Sequence, residues 1–256
     1  VPRELKFLLT GEVLPWIRKR FFLGKHQIMT RVLKAVGLGE SRVDERIGDL
    51  IREGANPEVG LLPSEGEITI QITARARNQL AAQAMIEPVE GEIRSRLGKT
   101  IYGRGKDTLE ETIHKMLSTR EISLAIVETF TGGCAAQRLH EIQSRWLLES
   151  RVLPHIQAVE RSVDRKMQFP APHEALDLAA WARAETGADA VLAVWGFPER
   201  VKDGYRVKAA AAVMGEGPIK TFPWEMGGEL SALQQRGATT GLNTLRLWLL
   251  EQDHAS

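Results

Sequence analysis

The run VETFTGG at residues 127–133 is the segment best suited to chemistry. A short apolar stretch, ISLAIVE, leads into it and a helix-forming stretch, CAAQRLHEI, leads out, so it reads as a strand-to-helix corner. Such a corner turns the free backbone N–H groups of a helix start towards an anion. Gly132 and Gly133 permit close backbone approach. Acyl transfer needs an activated hydroxyl, a base and donors for the oxyanion. The corner supplies the hydroxyls of Thr129 and Thr131, the carboxylate of Glu128 and the N–H donors. A plainer reading stands beside this one. The threonine hydroxyls satisfy the helix start, Glu128 is structural, and the two glycines make a tight turn with no ligand. Cys134, at the helix start, is either a thiol with a lowered pKa or a small packed residue.

No base is evident beside those hydroxyls. His155 and Lys166 follow in the sequence, and each serves only if the fold brings it within hydrogen-bond reach of Thr129. The lysine would also need a depressed pKa. His114, His140, His155 and His173 do not have metal-ligand spacing, and one cysteine makes neither a disulfide nor a cysteine cluster. No metal and no cofactor is expected, and the cysteine usage suits a reducing cytoplasm.

The elements that must position the corner follow from periodicity. Residues 2–22 read as a helix interrupted at Gly11 and Pro15. RVLKAVGLG is extended, and SRVDERIGDLIREG is a helix opened by a Ser41–Asp44 capping box and stopped at Gly54. Ile68, Ile70 and Ile72 alternate with polar residues in a hairpin turning at PSEG. A helix over 78–97 carries Pro88, which should kink or divide it. GKTIYGRGKD is a loop-rich junction, after which Asp107 caps a helix with Leu109, Ile113, Met116 and Leu117 inward. Beyond the corner, a helical stretch is expected from Trp146 to Val163. HEALDLAAWARAETG, the strand DAVLAVWG, the strands YRVKAAAAVMG and PIKTF, and a closing helix with Leu242, Leu245 and Leu249 on one face complete the chain. The fold class is α/β: a small α+β unit followed by an α/β sandwich.

Several phrases resemble the CinA (competence/damage-inducible) family. VPRELKFLLTGEVLP is similar to the exit of that family's nucleotide-processing domain. RVLKAVGLGESRVDERIGDLI with GANPEVGLLPSEGEITIQITARA is similar to its middle, KH-related domain. IEPVEGEIRSRLGKTIYG, ISLAIVETFTGG and GADAVLAVWG resemble the passage into its last domain, the LAVAESCTGG signature and GADIALAVTG. The likeness is close up to about Gly133 and weaker afterwards. It implies a remnant helix over 1–27 of a preceding domain, a KH-related domain over 28–104, and an amidase-like domain over 105–256.

Active relatives, by the same resemblance, hydrolyse nicotinamide mononucleotide to nicotinate mononucleotide and ammonia, with a serine nucleophile and a lysine partner. Thr129 stands at the serine position, and Glu128, Thr131, Gly132, Gly133 and Gly196 fall in matching segments. Arg236 is near a family arginine that could meet a phosphate; a solvated helix face is the alternative. Three departures coincide. Threonine replaces serine, SRVLPHIQAVERSVD replaces the lysine-bearing YSNEAK segment, and WGFPERVKDG replaces the glycine-rich substrate loop, putting Trp195 and Phe197 where a ligand needs room. The expectation is therefore a degenerate amidase site in a scaffold, dimerisation or nucleotide-sensing protein. The alternative is a working amidase built on Thr129. Resemblance further implies a homodimer and a pyridine nucleotide ligand.

Bulk properties exclude other classes. The net charge is +1, so no polyanion field is suggested. No apolar run approaches the roughly 18–20 residues that cross a bilayer, and the charge-interrupted start is not a signal peptide. The chain opens on Val, and a preceding portion of the protein is expected. GLGE at 37–40 lacks the GXXG spacing of a nucleic-acid-binding KH loop and ends in an acid, so nucleic acid is not an expected partner.

Overall fold

A computed structural model describes residues 2–20, 27–164, 166 and 172–252. The chain begins with α1 (Pro2–Leu8), a π-helical turn (Leu9–Val13) centred on Gly11, and α2 (Leu14–Arg20). Leu5, Phe7, Leu8 and Trp16 on this stretch are exposed.

The first sheet is assembled from β1 (Gln27–Val36), β2 (Glu58–Ser64), β3 (Glu67–Ala76) and β4 (Ile101–Arg104) in the order β2-β3-β1-β4, antiparallel throughout. α3 (Glu40–Ile47) and α4 (Gln79–Leu97) cover one face. The alternation of β3 buries Ile68, Ile70 and Ile72 and leaves Thr69, Gln71 and Thr73 on the other face. That period, two residues per face, is what the sequence pattern required.

Several local expectations are corrected here. α3 starts from Gly39 with no side-chain cap and ends at Ile47, a 3-10 turn following, so Ser41 and Asp44 form no capping box. Only Glu65 and Gly66 form the hairpin turn; both have positive φ, the conformation that matches strand twist in a two-residue connection. Pro88 does not divide α4. Ala84, whose carbonyl loses its partner, and Pro88 both lie on the exposed side, where solvent can reach the unpaired carbonyl. Residues 101–104 form a strand, not a loop. The next helix, α5 (Leu109–Arg120), is capped by Thr108 in a reciprocal box with Glu111, while Asp107 accepts from the Arg104 N–H.

The second sheet carries the corner. It comprises β5 (Leu124–Glu128), β6 (Leu147–Val152), β7 (Ala190–Val201), β8 (Gly204–Met214) and β9 (Lys220–Gly228), ordered β6-β5-β7-β8-β9. β6, β5 and β7 are parallel; β8 and β9 extend the sheet antiparallel. α5, α6 (Cys134–Glu141) and the last helix, α9 (Leu230–Gln252), pack on one face over Leu124, Ile126, Leu192 and Val194. α7 (Ile156–Val163) and α8 (Pro172–Thr186) pack on the other over Ala125, Val127, Val191 and Ala193. A strand buried on both faces is apolar at every position, which is why β5 reads as a continuous apolar run.

Two larger differences bear on the site. The stretch from Trp146 is not one helix: Leu147–Val152 is an edge strand paired with β5, and only Ile156–Val163 is helical. Its apolar and polar residues satisfy either period, and pairing with β5 decided between them. WGFPERV is not a loop. It continues β7, paired residue for residue with β8 as far as Val201–Gly204. Trp195 is buried against the α8 layer, with Phe197 edge-on to it at 5.2 Å, so it fills core on that face.

Candidate functional site

β5 ends on Glu128, which has no exposed surface. Its carboxylate accepts the Ala135 N–H at 3.1 Å and the Ala136 N–H at 2.8 Å. The N-cap of α6 is Gly133, which has no side chain to donate an acceptor, so Glu128 reaches across the corner and satisfies two of the free donors itself. The site's own carboxylate thereby occupies the helix start that an anionic ligand would otherwise use.

Thr129 is 1% exposed. Its hydroxyl lies 2.6 Å from the Gly196 carbonyl and 3.1 Å from the Val194 carbonyl, and it accepts the Gly196 N–H at 2.9 Å. The one hydroxyl proton is directed to backbone oxygen and an acceptor lone pair is filled. Thr129 thus ties the end of β5 to β7. Phe130 is turned inward, and a Cβ added at Gly237 of α9 would fall 2.5 Å from its ring. Thr131 is fully buried, and its hydroxyl has no partner among the described residues.

Gly132 and Gly133 have φ of +66° and +97°, the left-handed region that glycine enters without steric cost. A Cβ on Gly132 would meet the Gln234 amide at 3.2 Å, and one on Gly133 would meet Val152 at 3.3 Å. Gln234 also donates to the Phe130 carbonyl at 3.0 Å. Gly196 is packed so closely that a Cβ there would stand 2.8 Å from Ala209. The corner is therefore covered from α9, from β6 and from β8.

The fold brings together Glu128, Thr129, Thr131, Gly132, Gly133 and Gly196, and it does not bring Arg236 to them. Arg236 is exposed two residues beyond Gln234 on α9, and its Cα lies beside Gly66 of the first hairpin. Gln234, which does reach the corner, was missed in the sequence because a glutamine on an amphipathic helix carries no chemical signal. Neither candidate base is held there: His155 is exposed at the start of α7, and Lys166 is 90% exposed and paired with Glu160 at 3.1 Å. His114 meets the Ser144 hydroxyl at 2.9 Å. Among the described residues no cluster has metal-ligand character.

The cavity beside α6, about 420 Å³, is lined by Cys134, Gln137, Arg138, Lys34 and the carboxylates of Glu65, Glu67, Glu110 and Glu141. Arg138 pairs with Glu67 at 2.8 Å, with Glu110, and donates to Thr239 at 2.8 Å. Burial pushes the Glu110 carboxyl upward, but the Arg138 hydrogen bond and charge outweigh it and hold the group below its ordinary value. Cys134 is not activated. Burial, then the Glu128 carboxylate, pushes its thiol above the ordinary range, the reverse of the lowering a helix start alone would give. Arg138 holds two of the four carboxylates, and the lining is acidic in excess.

Residues 30–103 match the family described as the damage-inducible protein CinA KH domain. A CinA-like protein of Kosmotoga olearia is 28% identical over 264 residues, 97% of this chain and 62% of that protein. A Clostridium novyi relative named for competence-damage induction is 40% identical over 138 residues, 54% of this chain and 33% of the relative. The chain thus spans less than two thirds of the length of these relatives. A solved CinA-superfamily structure from Klebsiella pneumoniae covers 57% of this chain and 99% of its own, at 18% identity and a TM-score of 0.49.

Proposed function

Because residues 30–103 match the CinA KH family and the chain is similar to a CinA-like protein over nearly its whole length, we propose that its second sheet keeps the frame of a nicotinamide-nucleotide amidase without the chemistry. It serves as a scaffold or nucleotide-sensing unit. One observation carries this reading. The hydroxyl at the nucleophile position is buried and engaged by the backbone of residues 194 and 196, with no amine or imidazole among the described residues on it. A nucleophile needs a base in hydrogen-bond contact and a free approach for the acyl carbon.

The division of labour follows the two sheets, with 28–104 as the KH-related unit and 105–256 as the amidase-like unit. We assign the protein to the cytoplasm and expect a homodimer. The exposed apolar side chains of α1 and α2 support the latter, since a patch of that kind marks an interaction surface. No helix among the described residues is long and apolar enough to cross a membrane.

The test is direct. Incubation of the purified chain with nicotinamide mononucleotide should release no ammonia above the buffer rate, in the native chain and in Thr129→Ser alike. Ammonia release by the native chain that disappears in Thr129→Ala would establish the rewired amidase instead.

A further inference from the structure

A second cavity, about 260 Å³, lies where the GLGE turn after β1 faces α9 and β9. Leu38, Phe222 and Met226 give it an apolar wall; Lys220, Arg236 and Asn243 give it a polar one. No aspartate or glutamate lines it among the described residues, in contrast to the four carboxylates around the cavity at α6.

Asn243 sets its character. The residue is 8% exposed, and its Oδ1 accepts from Nε of Arg246 at 3.0 Å and from Nη2 at 2.9 Å. A guanidinium only donates, so the amide oxygen must face it and the amide nitrogen must face the other way. Nδ2 accordingly lies against Gly37 on the cavity side, 2.6 Å from where a Cβ would stand, and has no acceptor among the described residues.

Charge points the same way. Arg246 is 3% exposed, donates to the Lys99 carbonyl at 2.7 Å, and has no carboxylate partner among the described residues. Burial lowers its pKa to about 10, against a smaller upward push from Tyr102. Arg236 on the rim has no ion-pair partner among the described residues, whereas the Lys220 charge is shared with Glu251 at 2.5 Å. Gly39, on the lining, is the N-cap of α3 and leaves that helix start without a side-chain acceptor.

We propose that this cavity is a binding site for a small organic phosphate. The phosphoryl oxygens take hydrogen bonds from Nδ2 of Asn243, the Arg236 guanidinium and the start of α3. The carbon portion lies on Phe222 and Met226. Donors from three directions suit three acceptor oxygens better than the two of a carboxylate. The volume is below the roughly 300 Å³ at which sites for drug-sized ligands begin, so the ligand is of pentose-phosphate size. The assignment does not depend on the fate of Thr129.

Ribose 5-phosphate and inorganic phosphate are the probes, titrated calorimetrically at low ionic strength into the whole chain. Ribose 5-phosphate should bind, more tightly than inorganic phosphate. Arg236→Glu, at an exposed position, should weaken it by about tenfold or more. Asn243→Asp keeps an acceptor for Arg246 and replaces the cavity donor with a negative charge. It should abolish binding without lowering the thermal midpoint, a combination that a merely structural asparagine would not give. Absence of heat up to about 10 mM ribose 5-phosphate, or undiminished affinity in either variant, overturns the site. Equal affinity for inorganic phosphate overturns the organic portion. If Asn243→Asp does not fold, Arg236→Glu decides alone.

Discussion

Thr129 shows how one hydroxyl can be chemically suitable and sterically committed. Its oxygen is both donor to and acceptor from the backbone at Gly196. Thr129→Val preserves shape and removes the hydroxyl, leaving the Gly196 N–H without that acceptor. The expected loss is about 1–3 kcal/mol of unfolding free energy, measured by denaturant titration. Thr129→Ser, which keeps the oxygen, should lose far less. A valine variant as stable as the native chain would mean that the oxygen is not structural and would reopen its use as a nucleophile. The same residue marks a limit of legibility. A threonine in a strand-to-helix corner is visible in the sequence, but its partners are 65 and 67 positions away.

Elements hold the corner by capping and by close approach. α6 depends on a carboxylate from the preceding strand because its own N-cap is a glycine. α9 reaches the corner because Gly237 leaves room for Phe130. Gly237→Ala gains helix propensity, a benefit of roughly 1 kcal/mol. It also drives a methyl into the ring, and overpacking of a core typically costs about 1–3 kcal/mol. Net destabilisation is expected in thermal melts, and Gly237→Ala combined with Phe130→Leu should recover part of it. A lone Gly237→Ala that raises the midpoint would show that the ring is free to move. β6 is the element that periodicity misplaced. LLESRV has no strong preference of its own, and the exposed edge of β5 recruited it.

Across the whole molecule, Arg138 of α6 joins Glu67 of the first sheet, Glu110 of α5 and Thr239 of α9, while Thr239 donates to the Glu65 carbonyl. Glu110 has a folded value held below its ordinary 4.5. A depressed carboxylate contributes stability that is complete above the unfolded value and is withdrawn as pH falls through the folded one. The thermal midpoint should therefore fall as pH is lowered from about 5 to about 3, and less steeply in Glu110→Gln. Equal slopes for the two proteins would remove Glu110 from this linkage.

By itself the sequence determined the class of each strongly periodic segment, since a spacing of two or of three to four residues admits one buried face per element. It also determined that residues 127–133 turn from strand to helix, and which family the phrases resemble. Only the tertiary structure decided that WGFPERV extends β7, that Gln234 and not Arg236 attends the corner, and that the Thr129 hydroxyl is already engaged. Those outcomes depend on hydrogen bonds and contacts between segments remote in the chain. Local preference is silent about them, because a polar group's availability is fixed by whatever the fold places against it.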